Sequence, residues 1–144
     1  MTFNVSKGTS SLSIVLSSTM ENIDRTDALV KNLLLQNDLD RYAFAVRVVL
    51  REGLTNSVRH GNKNKAEKLI NFNLNISKDK LTMIIEDQGD GFDWKTLQKK
   101  CKSKTQSKTP SDHGRGILIM GDYFDKHTYN DKGNKVILEK NISS

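Results

Sequence analysis

From Ile70 to Ile76, and again from Leu81 to Ile85, an apolar side chain occupies every second position, and this period constrains the fold more than any other feature of the chain. Ile70, Phe72, Leu74 and Ile76 alternate with asparagines, and Leu81, Met83 and Ile85 resume the alternation after Ser77-Lys78-Asp79-Lys80. Successive side chains of a strand point to opposite faces of its sheet. The pattern therefore predicts an antiparallel hairpin with one buried face. Ser11–Ser17 shows the same alternation through Leu12, Ile14 and Leu16 and predicts another strand.

Elsewhere the period lengthens. From Met20 to about Leu35, Ile23, Ala28, Leu29 and Leu33 make a helical stripe, with Thr19 as its N-cap. A second helix is expected from Asp40 to about His60. Its stripe is Phe44, Val48, Leu50, Leu54 and Val58, and Gly61-Asn62 supplies a residue suited to positive φ at its end. A short helix is expected over Trp94–Cys101, a polar loop over Ser103–Asp112 and another short helix from Gly116 to Asp122. A last hairpin, 124–129 with 135–140, turns at Asn130-Asp131-Lys132-Gly133-Asn134. Helices interspersed with an antiparallel-rich sheet predict a two-layer α/β sandwich, with a mixed, mostly antiparallel sheet packed against helices. The 144 residues show no repeat or linker and suit one domain.

Composition excludes several classes. The net charge is +6, yet no aromatic residue interleaves with the lysines between Lys95 and Lys108, which argues against base stacking and direct nucleic-acid binding. A solvated surface accounts for such an excess, and an anionic small molecule or acidic partner would use it equally well. No apolar run approaches the ~18 residues of a membrane span. The first residues lack a charged n-region followed by an apolar stretch, and Cys101, the only cysteine, has no disulfide partner. These features imply a cytoplasmic protein with no membrane partner.

Three segments carry chemistry. In Arg51-Glu52-Gly53-Leu54-Thr55-Asn56-Ser57-Val58-Arg59-His60-Gly61, the spacing of Glu52 and Asn56 puts both on one helix face. A carboxylate can take a proton, and an amide oxygen can ligate magnesium, which keeps waters and shares phosphate oxygens. Taken alone, the pair equally fits a solvated helix surface. Asp87-Gln88-Gly89-Asp90-Gly91-Phe92-Asp93 follows a strand directly. Its glycines permit close approach to a flat ligand, and Asp87 can accept from an exocyclic amine. A tight turn is the plain alternative, and the ligand spacing of an EF-hand is missing. Gly114-Arg115-Gly116-Ile117 stands at the mouth of a helix, where free N–H groups and the helix dipole favour phosphate. The P-loop signature Gly-x-x-x-x-Gly-Lys-[Ser/Thr] is missing, as is a Rossmann fingerprint.

In this order, the segments resemble the Bergerat-fold (GHKL) ATPases over about Leu12 to Lys140. Glu52-x-x-x-Asn56 is similar to that superfamily's N box, Asp87-x-Gly89-x-Gly91-Phe92-Asp93 to its first glycine box and Gly114-Arg115-Gly116-Ile117 to its second. Glu-x-x-Thr-Asn-Ser-x-x-His-Gly further resembles the anti-sigma factor serine kinases of the RsbW and SpoIIAB type. The resemblance implies ATP and magnesium (Mg2+) as cofactors, with Glu52 as general base toward a substrate serine and Asn56 as the metal ligand. It implies Asp87, Gly89 and Gly91 at adenine, Gly114, Arg115, Gly116 and Ile117 at the phosphates, and an ATP lid over about 95–113. The partners it implies are an STAS-domain anti-sigma antagonist and a sigma factor, with a homodimer as the expected assembly. An ATP-binding module that sequesters a partner without kinase activity is the alternative.

Four residues receive plain readings. Gly53 inside the N-box helix costs roughly 1 kcal/mol relative to Ala, which points to close packing there. His60 is expected to be structural at the helix end rather than a phosphoacceptor. Trp94 is expected to pack, and Cys101 to be incidental.

Overall fold

The hairpin read from the alternating segments is the centre of a six-stranded sheet in the computed structural model, which describes residues 1–91 and 119–142. In chain order the elements are β1 (Phe3–Lys7), β2 (Ser11–Ser17), α1 (Met20–Gln36), α2 (Ala43–Asn56), β3 (Leu69–Ile76), β4 (Lys80–Asp87), β5 (Lys126–Tyr129) and β6 (Lys135–Asn141). A 3₁₀ turn, Asp40–Tyr42, leads into α2, and a π turn, Ser57–Gly61, continues it; residues 119–123 are also helical. The strands lie in the order β1-β2-β3-β4-β6-β5, and every described pairing is antiparallel.

Register follows the hydrophobic pattern. Ile14, Phe72, Ile85 and Val136 lie side by side across β2, β3, β4 and β6, and Leu12, Leu74, Met83 and Leu138 form the next row. All eight are buried, whereas a one-residue slip of any strand would turn its apolar set to solvent. α1 and α2 complete the same apolar cluster with Ile23, Val30, Leu33 and Leu34 from α1, and Val46, Val49, Leu50 and Leu54 from α2. The two-layer α/β sandwich therefore stands, with a sheet that is antiparallel throughout its described pairings.

Both helices turn differently from the expected stripes. On α1 Ala28 is exposed, and the buried face is Asn22, Ile23, Thr26, Asp27, Val30, Leu33 and Leu34. On α2 Phe44 is 69% exposed and Val48 half-buried, while Val46, Val49, Leu50, Gly53 and Leu54 are buried. The true stripes obey i, i+3, i+4 spacing. They were hidden because they pass through a glycine and several polar residues. Thr19 caps α1 as expected, its hydroxyl accepting from the Asn22 N–H at 3.2 Å. β1 went unread because Phe3 and Val5 are its only apolar residues and four of its five positions are exposed.

The polar residues on these buried faces fix α2 against α1. The Asp27 carboxylate, 4% exposed, accepts from Arg47 Nε at 2.6 Å and from Arg51 Nε at 2.8 Å, and Arg51 Nη2 donates to Asp24 at 2.6 Å. The two arginines remain 39% and 45% exposed, so they can rehydrate when the acid is removed, whereas Asp27 cannot when they are removed. Asp27→Asn is accordingly expected to cost about 1–2 kcal/mol in urea unfolding, and the double replacement of Arg47 and Arg51 by Met about 3–5 kcal/mol. Equal losses would mean that burial of the carboxylate does not set the cost.

Candidate functional site

β4 is an internal strand, flanked by β3 and β6, and it ends at Asp87. The end of α2 and its π turn pack beside it. The two elements meet over a pocket lined, among the described residues, by Gly53, Asn56, Ser57, His60 and Gly61 from the helical side. Ile85, Asp87 and Gly91 line it from β4 and the turn that follows, and Met120, Tyr129, Gly133, Asn134, Lys135 and Val136 complete the wall.

Asp87 is held from three sides. Its N–H donates to the Asn134 carbonyl at 2.9 Å and its own carbonyl accepts from Asn134 Nδ2 at 2.9 Å. Its Oδ1 accepts from the Gly89 N–H at 2.8 Å, and the Ser57 hydroxyl on the third side favours the charged carboxylate. Burial pushes the Asp87 carboxyl above its usual range; the bonds from Gly89 and Ser57 oppose this, Glu86 adds to it and the charge of Lys132 opposes it.

Glycines let these segments close on one another. A Cβ on Gly61 would overlap the Asp87 carboxylate, and one on Gly89 would overlap the Gly61 carbonyl. Gly91 has φ +84°, and a Cβ there would overlap the Lys132 carbonyl. The expectation of a positive-φ residue at Gly61-Asn62 is corrected: Asn62 has φ −88°, and the left-handed residues are Lys63 (φ 52°) and Asn64 (φ 61°). Gly61 is required for the missing side chain, since the π turn drives its Cα against Asp87. Gly53 is likewise a packing glycine, because a Cβ would stand 2.6 Å from Ile85 Cδ1 and 3.7 Å from Met120 Cε.

The structure brings Asn56, Asp87 and Gly91 to one pocket and puts Gly89 behind Asp87. Glu52 shares α2 with Asn56 but is not among the lining residues; its charge nevertheless acts on Tyr129, whose hydroxyl is pushed above its usual range first by burial and then by Glu52. His60 lies in the π turn and faces the pocket. Gly114, Arg115, Gly116, Ile117, the 95–113 segment, Trp94 and Cys101 lie outside the described residues. Sequence reasoning gave no site role to Ser57, Gly61, Tyr129 or Asn134. The 130–134 turn carried only turn signals, and its contact with Asp87 spans 47 positions of the chain.

An acid that can accept from an amine, a wall rich in glycines and the Asn56 amide suit a purine nucleotide. Among the described residues there is no group of three or more His, Cys, Asp or Glu able to cage a metal. Asn56 instead fits a hard cation that draws its remaining oxygens from water and phosphate. No described helix is long and apolar enough to cross a membrane.

The comparisons with known proteins agree with this geometry. The family described as the histidine kinase-like ATPase domain matches residues 16–140. The serine-protein kinase RsbW of Staphylococcus aureus strains bovine RF122 / ET3-1 and MSSA476 is 28% identical to this chain over 101 residues, which is 67% of this chain and 64% of each relative. The match thus spans just under two thirds of those relatives' length. With a pocket at the meeting of the N-box helix and the Asp87 strand end, and a family match that runs from the end of β2 into β6, the chain belongs to the histidine kinase-like ATPase domain family.

Proposed function

We propose that this chain, as a single domain over 1–144, is an ATP- and magnesium-dependent serine kinase. In this reading it phosphorylates an STAS-domain anti-sigma antagonist and sequesters a sigma factor, as a cytoplasmic homodimer. The observation that carries the proposal is the Asp87 carboxylate at the end of an internal strand, held by the Gly89 N–H in a pocket shared with Asn56. Asp87 accepts a hydrogen bond from the adenine amino group, while Gly61, Gly89 and Gly91 let the segments around it close on one another. Asn56 offers its carboxamide oxygen to magnesium. Gly114, Arg115, Gly116 and Ile117 serve the phosphates, and 95–113 serves as the ATP lid. Magnesium, when bound, neutralises phosphate charge as it develops.

Glu52 takes the proton of the partner's serine hydroxyl. The serine oxygen then bonds to the γ-phosphorus, the bond from that phosphorus to the β,γ-bridging oxygen breaks, and ADP leaves. The protein's share of such a reaction is positioning and electrostatics rather than covalent chemistry.

Calorimetry of ATP binding with and without magnesium tests the site. Wild type is expected to bind more tightly with magnesium, and Asn56→Ala to lose about tenfold of that gain, the worth of one ligand contact. No ATP binding by wild type would sink the proposal. A second reading, an ATP-binding module that sequesters its partner without phosphorylating it, draws on the position of Glu52 outside the pocket lining. ATP binding without transfer to any serine would favour it.

A further inference from the structure

Asn62 follows the π turn and is fully buried, with a relative exposure of 0%. Every polar group of its side chain is used. Its Oδ1 accepts from the Gln88 N–H at 2.9 Å; its Nδ2 donates to the Leu69 carbonyl at 3.1 Å and to Ser18 Oγ at 2.8 Å. The Ser18 hydroxyl spends its only proton on the Lys68 carbonyl at 2.7 Å, so toward Asn62 it can only accept. Donor and acceptor ends of the amide are therefore fixed by their partners. The Asn62 N–H completes the set, donating to the Ser57 carbonyl at 2.7 Å.

These bonds join the π turn, the β2–α1 junction, the start of β3 and the turn after β4. The last of them falls on Gln88, between Asp87 and the Gly89 whose N–H holds the Asp87 carboxylate. Ser57, which favours the charged form of that carboxylate, lies on the turn that the Asn62 backbone N–H closes. The side-chain amide of Asn62, which does not itself line the pocket, thus fixes the turn that carries the Gly89 donor, while its backbone N–H ties in the turn that carries Ser57.

We propose that Asn62 is the positioning residue of the nucleotide site: it sets the direction of the Asp87 carboxylate and so controls discrimination between a purine bearing an exocyclic amine acceptor-partnered by Asp87 and one bearing a carbonyl at that place. The inference rests on the reading of Asp87 as the adenine contact. A purely structural asparagine would change stability and weaken both purines alike. One that aims Asp87 changes their ratio.

Asn37 supplies the matched control. It makes a comparable set of side-chain bonds, to the Leu33 carbonyl at 2.9 Å, the Thr9 carbonyl at 3.0 Å and from Ser10 Oγ at 3.0 Å, at the opposite end of β2. The experiment measures ATP and GTP affinities with magnesium by calorimetry, alongside thermal unfolding, for wild type, Asn62→Ala, Ser18→Ala, Asn37→Ala and Asp87→Asn. Asn62→Ala is expected to lower the ATP-over-GTP preference by about tenfold, the worth of one hydrogen bond to a charged group, and Asn37→Ala by less than about twofold. Ser18→Ala, which leaves the Gln88 bond in place, moves the ratio less but in the same direction and keeps the test open if Asn62→Ala does not fold. An unchanged ratio in the foldable members of this pair overturns the role of Asn62 while leaving the nucleotide site intact. Absence of any ATP preference in wild type, or its retention in Asp87→Asn, overturns the adenine reading and this inference with it.

Discussion

Replacing Glu52 with Gln is expected to slow phosphoryl transfer to serine by about 10²–10⁴-fold, the usual contribution of a positioned general base. The amide keeps the side chain's size and hydrogen-bonding reach and removes only its basicity. The substitution sits on α2 one residue after Arg51, which is tied to Asp24 and Asp27, so the helix that carries it stays anchored. ATP affinity should therefore remain within about twofold of wild type, because an interaction made only as the proton moves leaves ground-state binding unchanged. Single-turnover transfer of labelled phosphate from ATP to a cognate antagonist, followed as acid-stable phosphoserine, gives the rate. Transfer at the wild-type rate would remove Glu52 from the proton's path.

The second large effect is at Asp87. Asp87→Asn keeps an oxygen for the Gly89 N–H but turns an N–H₂ group toward the exocyclic amine, setting donor against donor. ATP affinity is expected to fall by about a hundredfold or more, since a site built for one hydrogen-bonding pattern rejects a mismatch that leaves buried groups unpaired. A loss of only a few-fold would mean that the amine is recognised elsewhere.

The same substitution has an opposite effect on the unliganded fold. Burial raises the Asp87 carboxyl above its unfolded value, so the folded chain holds this proton more tightly than the unfolded chain. Within the interval between the two values the native state binds more protons, and stability falls as pH rises through it. At neutral pH the buried carboxylate is thus a standing cost that Asn does not carry. Without nucleotide, Asp87→Asn is expected to melt at or above the wild-type temperature near pH 7. Its advantage should shrink as pH falls from the raised value to the ordinary carboxylate value, and be gone below it. Wild-type ATP affinity should fall as pH drops through the raised value, because protonation puts a hydrogen on an oxygen that must accept. A variant that loses both stability and affinity at neutral pH would show that the carboxylate supports the fold.

Asp87 was legible in the sequence because a strand's alternation ran directly into Asp and Gly, which cannot continue a strand interior. Asn56 was legible because its spacing from Glu52 is one helical turn. Both readings rest on periods of 2 and 3.6 residues, which are local properties of the backbone. The central strands, the Thr19 cap and the two-layer class follow from the same local rules. The buried face of α2 did not, because it runs through Gly53 and Ser57, and no hydrophobic scale marks a glycine chosen for contact with Ile85.

What surrounds Asp87 is of another kind. Ser57, Gly61, Asn62 and Asn134 are common loop and helix-end residues in sequence, and each looks like a turn former. Their roles arise because a π turn and a hairpin turn reach the same strand end from opposite sides, over separations of 26 positions for Asn62 to Gln88 and 47 for Asn134 to Asp87. The sequence by itself determined the strands from β2 to β6, the two long helices and which acid closes β4. Only the tertiary structure decided what holds that acid in place, because a buried hydrogen bond is set by the packing of distant segments and leaves no period in the chain.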